Sequence, residues 1–351
     1  MKKAPEHKEK YMRSEAKITK EIFSGNWVPN IFESDYKEIP KKDRHTNIVP
    51  VYYDNREKVG EGKRLKTVTR EYELRYSVLM NKYCEKFDDL HLSALDRRVH
   101  DIICNLYEEG YRNITIMDIF KYLYPLKNYN QRFIVEIYES VQHLTLTWVR
   151  LDITEEAKAY GYNLKSYVEE SYLIPAKFYH WNELGDDFKT TLCHYPNAPK
   201  IIIELISEPP LLTITKANRH MQSIPRALFL KRDYKKIPRN KFTEELIEKL
   251  LDYVSQSNRY NRSAIIYNHL ADELNLNWYK RKELRNRVKL IIDWFKENHV
   301  VKTYTEYDAN QQEINDQNNN PPRKIVIIPP PKEKVAEQNP KYKNIKNPYS
   351  R

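Results

Sequence analysis

Apolar residues recur with helical spacing in the same order twice along this chain of 351 residues. In the first half, this spacing and a β-branched run after it predict three helices and a strand at residues 93–110, 115–124, 129–142 and 144–154. In the second half, the same reasoning predicts three helices and a hairpin at residues 243–254, 263–276, 279–298, 300–307 and 323–329. Three short helices followed by strands are the order of a winged helix. The sequence therefore predicts a helix-rich α+β protein with two tandem winged-helix domains.

Composition changes around these two repeats predict the domain boundaries. Residues before the first repeat are polar, basic and without sustained periodicity, which predicts a largely irregular, disordered arm. A basic stretch with three prolines predicts a linker, and the Pro-, Lys- and Asn-rich end of the chain predicts a disordered tail. The arm, a first winged-helix-like domain with extra strands, the linker, a second winged helix and the tail are predicted at 1–70, 71–222, 223–242, 243–328 and 329–351.

The charge of the chain is divided unevenly between the repeats. The net charge is +11, but residues 71–225 carry 17 Lys and Arg against 22 Asp and Glu, whereas residues 226–302 carry 18 against 10. A basic block beside a mildly acidic one is expected where one domain meets phosphate and the other meets protein. A basic protein that is merely soluble would have the same total charge.

The third helix of the second repeat is the most informative element. Its apolar residues fall within an arc of about 100°, and they are Leu284, Val288, Ile291, Ile292 and Phe295. Its N-terminal half is rich in Arg, Lys and Asn, which suits the DNA major groove, where Arg reads guanine and Asn reads adenine. With the wing and the residues before the second helix, the predicted DNA-binding residues are Arg259, Arg262, Lys280, Arg281, Lys282, Arg285, Asn286, Lys289, Lys302, Arg323 and Lys324.

The roles within this set are expected to differ. The side chains of Arg281, Arg285 and Asn286 are predicted to read bases, while cations at the strand ends of the wing bind phosphate. The alternative is an ordinary solvated helix with i,i+4 ion pairs such as Glu283–Arg287.

The third helix of the first repeat has a different charge pattern. It carries Arg132 but also Glu136 and Glu139, which form a poor surface for phosphate. This repeat is therefore predicted to make protein contacts, with a homodimer as the expected product.

Residue patterns of catalytic and cofactor sites are missing from the sequence. The chain has six glycines, and Gly60-Glu61-Gly62-Lys63 lacks the remainder of a phosphate-binding loop. Cys84, Cys104 and Cys193 match no zinc spacing, and no His-hydrophobe-His pair supports a nickase. No enzyme, cofactor or metal is therefore expected. Because no apolar run approaches roughly 20 residues and no secretory signal begins the chain, a cytoplasmic protein without membrane contact is expected.

The two repeats, the Ile224-Pro225 junction and the closing stretch KRKELRNRVKLIIDWFKENHVVKTYTEY together resemble the theta-type plasmid replication initiators. The resemblance covers residues 90–328 and is closest over 243–307. It implies two related winged-helix domains, dimerisation or its loss through the first, recognition of origin repeats in double-stranded DNA through the second, recruitment of a host helicase or initiator, and no nuclease. The basic N-terminal arm and the acidic first repeat depart from the family pattern.

Other functions fit parts of the same pattern. A winged-helix transcriptional regulator, such as an autorepressor, would use the same DNA-binding head. A primase or nickase would need the metal and nucleotide signatures that the sequence lacks, and a protein-binding scaffold would not need a basic third helix. Directly repeated motifs of about 20 bp beside the gene would favour an initiator, whereas one short palindrome over the promoter would favour a regulator.

Overall fold

The computed structural model describes residues 10–14, 17–24, 30–32, 46–58, 65–81, 92–124, 131–154, 166–179, 201–217, 221–225, 237–238, 240–260, 263–274, 276, 278–314 and 322–329. The elements up to residue 217 are β1 (Lys10–Ser14), α1 (Lys17–Ile22), β2 (Asn30–Phe32), β3 (Asn47–Lys58), β4 (Leu65–Asn81), α2 (Ala94–Glu108), β5 (Asn113–Thr115), α3 (Ile116–Leu123), α4 (Gln131–Leu146), β6 (Thr147–Asp152), β7 (Val168–Tyr172), β8 (Ala176–Tyr179), β9 (Ile202–Leu205) and α5 (Pro210–Ala217). The remaining elements are β10 (Met221–Pro225), α6 (Lys241–Tyr260), β11 (Ser263–Ile266), α7 (Tyr267–Glu273), α8 (Trp278–Glu297), β12 (Thr303–Tyr307) and β13 (Lys324–Ile328). The α+β prediction is confirmed, with sheets that are antiparallel except where β2 runs parallel to β4.

The described chain divides into two compact units. The first unit spans Ala16–Met221, and the second combines β1 with the chain from Gln222 onward. The N-terminal strand β1 pairs with β10, at the point where the chain returns to the second unit. The second unit is therefore discontinuous in sequence.

Both units contain the same order of helices and strands. In the second unit α6, β11, α7, α8, β12 and β13 follow one another, and β13 pairs with both β11 and β12. In the first unit α2, β5, α3, α4, β8 and β9 follow the same order, and β9 pairs with both β5 and β8. The predicted repeat is thus present in the chain topology, and the predicted hairpin at the end of the second repeat is formed by β12 and β13.

The first two helices of the first repeat begin and end within two residues of the predicted positions, whereas α4 continues to Leu146, beyond its predicted end at 142. Ser93 accepts a hydrogen bond from the backbone N–H of Asp96, whose carboxylate accepts the N–H of Ser93 in return. Thr115 and Asp118 form the same capping box at α3. The first helix ends before Gly110, whose φ of 95° is a conformation that side chains with a Cβ rarely adopt.

A second sheet in the first unit corrects two predictions. The strand predicted at 144–154 is β6, but it pairs with β4 and β7, whereas β8 and β9 form the antiparallel pair that corresponds to β12 and β13. The predicted irregular arm is also wrong for the described part of 1–70, which contains β1, α1, β2, β3 and the start of β4. Of these strands, β1 pairs with β10, a partner far along the chain that local sequence patterns do not indicate, whereas β3 and β4 form an antiparallel pair of neighbouring strands.

The second unit also differs from the prediction in local detail. Ser263–Ile266 is strand β11 where a helix was predicted, because Ile265 packs in the core opposite Ile325 of β13. Asn240, rather than Thr243, caps α6, since its side chain accepts the backbone N–H of Thr243 at 2.8 Å. The predicted linker contains β10, and the predicted tail lies outside the described residues except for Pro329.

A buried ion pair attaches the N-terminal strand to the second unit. The guanidinium of Arg13 on β1 is fully buried and donates to the carboxylate of Glu248 on α6, which is also buried. The two residues are 235 positions apart in sequence. An unpaired charge at such a site would cost several kcal/mol, so each partner depends on the other.

We expect Arg13→Met to destabilise the second unit by about 3–5 kcal/mol, because it leaves the Glu248 carboxylate buried without its cation. Urea denaturation of the full chain measures this loss. The double variant R13M/E248M should recover most of the stability, since it removes both charges. Arg75→Met is the matched control, because the Arg75–Glu73 pair is more than half exposed and should contribute less than about 1 kcal/mol. A loss for R13M no larger than for R75M would contradict the role of the buried pair.

Candidate nucleic-acid interface

The orientation of α8 in the second unit is fixed by its buried side. Its predicted apolar face is confirmed, with at most 1% exposure for Leu284, Val288, Ile291, Ile292 and Phe295. Arg287 is also buried and donates to the hydroxyl of Thr243 on α6 at 2.6 Å. Its ion pair with Glu283 is the predicted i,i+4 pair. These contacts leave the opposite face of the helix toward solvent.

A buried carboxylate on β12 forms ion pairs with two of the predicted DNA-binding cations. Glu306 on β12 lies 3.3 Å from the guanidinium of Arg285 and 3.1 Å from the ammonium of Lys289. The hydroxyl of Tyr267 on α7 donates to the same carboxylate at 2.7 Å. Glu306 thereby joins α7, α8 and β12, while Arg285 and Lys289 remain 37% and 39% exposed.

The ionisation of Glu306 follows from these partners. Burial alone raises its pKa, but the hydrogen bonds from Arg285, Tyr267 and Lys289 and the charge of Lys289 lower it by more. The net result is a pKa below the ordinary value of 4.5, so the carboxylate is charged at neutral pH. The same burial and the neighbouring Glu306 raise the pKa of Tyr267, which keeps its proton as the donor.

The other predicted site residues lie around this centre in different ways. Asn286 is exposed on α8, next to Arg285 in sequence but facing solvent. Lys302 and Arg323 are exposed at the ends of β12 and β13, and Lys324 contacts Gln311 at 3.2 Å and the ring of Tyr307. The side chains of Arg259, Lys280, Arg281 and Lys282, and the whole of Arg262, lie outside the described residues.

The carboxylate of Glu306 is the participant that sequence reasoning missed. The alternating run TYTEY places Glu306 and Tyr304 on one face of β12, and both meet α8, since Tyr304 donates to Asp293 at 2.8 Å. The alternation could have indicated a shared face, but not that a helix covers it.

The equivalent helix of the first unit has no comparable cationic face. Arg132 on α4 is exposed and paired with Glu136 at 2.8 Å. Exposed apolar side chains occur instead on β7 and β8, which are edge strands among the described strands of their sheets. These side chains are Val168, Tyr172 and Tyr179.

Groups that could support catalysis are sparse in the described residues. No cluster of three His, Cys, Asp or Glu side chains there could hold a metal ion. Cys104 is buried as expected, 3.8 Å from His100, and burial followed by the charge of Asp101 raises the pKa of its thiol. No helix in the described ranges is long and apolar enough to cross a membrane.

Comparison with known proteins gives distant structural likenesses only. No family model and no curated protein matches the sequence. A selenomethionine crystal structure of domains 2 and 3 of RctB has a TM-score of 0.40 and 10% sequence identity, over 83% of this chain and 93% of that chain. A second crystal structure of RctB domains 2–3 has a TM-score of 0.34 and 13% identity, over 83% and 94%. Likeness at this level assigns no function, so the interface is interpreted from its own residues.

Replacing Glu306 with Gln should destabilise the second unit most at neutral pH. Because the folded-state pKa of Glu306 is lowered, its stabilisation is present above the unfolded value of 4.5 and is lost as pH falls through the folded value. Urea denaturation of E306Q and wild type at pH 7 and pH 3 tests this. E313Q, which changes an exposed carboxylate after the same strand, is the control. An E306Q deficit that stayed equal at both pH values would contradict the charged role.

Proposed function

We propose that this protein is a sequence-specific double-stranded-DNA-binding replication initiator of a plasmid-like element, built from two winged helices. The observation that carries the proposal is the solvent face of α8, where Arg285, Asn286 and Lys289 lie in a segment of marked positive charge. A helix of this kind fits the major groove with its N-terminal half. The repeated helix-strand topology with a two-stranded wing supports the winged-helix assignment in both units.

The residues divide into two classes of contact. The exposed cations Lys302 and Arg323 immediately precede β12 and β13, and at such strand ends a cation suits phosphate contact that positions the protein. Arg285 and Lys289, which share the carboxylate of Glu306, have part of their hydrogen-bonding capacity already used. Asn286 is exposed and suits a base edge. Non-specific affinity is thus assigned to the wing, and sequence preference to the helix.

The first unit is proposed to form a homodimer. The consecutive edge strands β7 and β8 expose Tyr172 and Tyr179 at 48% and 50%, and Val168 lies on the same segment. Aromatic residues are enriched at interface cores, and unpaired strand edges accept a further strand. The acidic charge of residues 71–225 disfavours phosphate there.

The role in replication is proposed from the resemblance of the repeats to theta-type initiators. Binding to origin repeats and recruitment of a host helicase or initiator belong to that proposal, with no enzymatic activity of the chain. A transcriptional autorepressor is the second candidate, because the same α8 and wing would serve a promoter palindrome. The DNA next to the gene distinguishes the initiator from the autorepressor, because direct repeats favour the former and a single promoter palindrome favours the latter.

We expect the full chain to bind duplex DNA with an affinity that falls steeply with salt. Each phosphate contact contributes about −0.9 to the slope of log K against log salt concentration, so K302A and R323A should each reduce the slope by about one and weaken all duplexes equally. Fluorescence anisotropy on random-sequence duplexes at several salt concentrations measures this. Lys296→Ala, an exposed cation at the far end of α8, is the control with little expected effect. Absence of binding at low salt would refute DNA binding.

We expect the full chain to be a dimer that Tyr172→Glu with Tyr179→Glu converts to a monomer, because charge on the exposed edge would be buried in the interface. Multi-angle light scattering measures the mass. Ile48→Glu is the control, since Ile48 is exposed on β3 away from this segment. A monomeric wild type would remove the homodimer from the proposal.

A circular DNA carrying the gene and its flanking sequence should replicate in a host strain where the marker alone does not. Deletion of direct repeats near the gene should abolish replication, while the protein should protect those repeats in footprinting. Protection confined to one promoter palindrome, with no replication, would instead identify an autorepressor.

A further inference from the structure

The residues at the centre of the solvent face of α8 are set by which of its side chains contact Glu306. Arg285 and Lys289 lean toward β12, where Glu306 holds both. One position away from each, Asn286 and Leu290 lie one turn apart and are both exposed, Leu290 at 38%. Among the described residues no side chain hydrogen-bonds to Asn286. A large apolar side chain beside a polar amide therefore forms the centre of the outward face.

The face changes character toward the end of the helix. Asp293 and Glu297 are exposed in the last turn and a half, and their charge disfavours approach of phosphate. A duplex in contact with α8 is therefore limited to the part of the helix before Asp293. Asn286 and Leu290 are separated by about 6 Å along the axis, which corresponds to roughly two base-pair steps.

The chemistry of these two side chains matches one kind of base pair. An Asn amide donates to adenine N7 and accepts from adenine N6–H₂, and an apolar side chain contacts the C5-methyl group of thymine in the major groove. Guanine, in contrast, is read best by an unencumbered Arg fork, and Arg285 is engaged by Glu306. Leu290 has no polar atom with which to contact a G·C pair.

We infer that the second unit selects A·T base pairs in the major groove through Asn286 and Leu290, an inference that rests on the proposed function. Asn286 reads an adenine, and Leu290 contacts the methyl group of a thymine within about two base pairs of it. Arg285 and Lys289 are then positioning groups whose charge faces the neighbouring phosphates.

The test uses the full chain and chemically altered duplexes. Preferred duplexes are first selected from a random-sequence library with the wild-type protein. Each thymine of the selected duplex is then replaced by deoxyuridine, which removes only the methyl group, and each adenine by 7-deazaadenine, which removes only the N7 acceptor. Binding is measured by anisotropy for wild type, L290A, N286A and the control K296A, all of which change exposed side chains and keep the core intact.

Wild type and K296A should lose about fourfold in affinity at one thymine, as expected for one buried methyl group, and roughly three- to tenfold at one adenine nearby. L290A should lose only the thymine effect, and N286A only the adenine effect. Duplex binding by wild type with no sensitivity to either replacement, or sensitivity retained in both variants, overturns the inference while leaving DNA binding intact. Failure of wild type to bind any duplex overturns the proposed function itself.

Discussion

The carboxylate of Glu306 is the contact around which the candidate interface is arranged. It lies on β12, accepts hydrogen bonds from α7 and α8, and is almost entirely buried. Because a buried charge is stable only with its partners in place, the wing and the third helix hold one relative orientation. The cost is that two cations on the basic helix share a counter-ion. The cations of α8 are thus held in fixed positions by Glu306 and do not form a uniform positive surface. The uncharged side chains Asn286 and Leu290 then make up more of the solvent face.

The helices of both repeats could be predicted because the residues that define a helix lie within the helix itself or next to it in sequence. Apolar spacing placed the buried face of α8, and capping residues such as Ser93 and Thr115 placed helix starts. What could not be predicted depends on partners far along the chain. Ile265 is in a strand because Ile325 lies opposite, and β6 pairs with β4 instead of the wing. The α8 cations could be named from composition, but their engagement by Glu306 required the fold.

The two units use a shared topology for surfaces of opposite character. The third helix of the first repeat pairs its exposed arginine with a neighbouring glutamate, and exposed Tyr172 and Tyr179 lie on β7 and β8. In the second, the corresponding helix presents basic and amide groups. The buried faces of the two third helices keep the same spacing of apolar residues, because each must pack against a core. Their solvent faces have no such constraint, so their charges can differ. Related scaffolds within one chain can therefore present solvent faces of different charge.

The discontinuity of the second unit has a consequence for the order in which the chain folds as it is made. Arg13 leaves the ribosome 235 residues before Glu248, a delay of roughly 12–47 s at usual rates of synthesis. All of the first unit is translated within that interval and can fold as an uninterrupted stretch. The strand that carries Arg13 stays without its buried partner until α6 is synthesised, and α8, β12 and β13 follow later. The second unit can therefore be completed only after its last described strand, β13, has been synthesised.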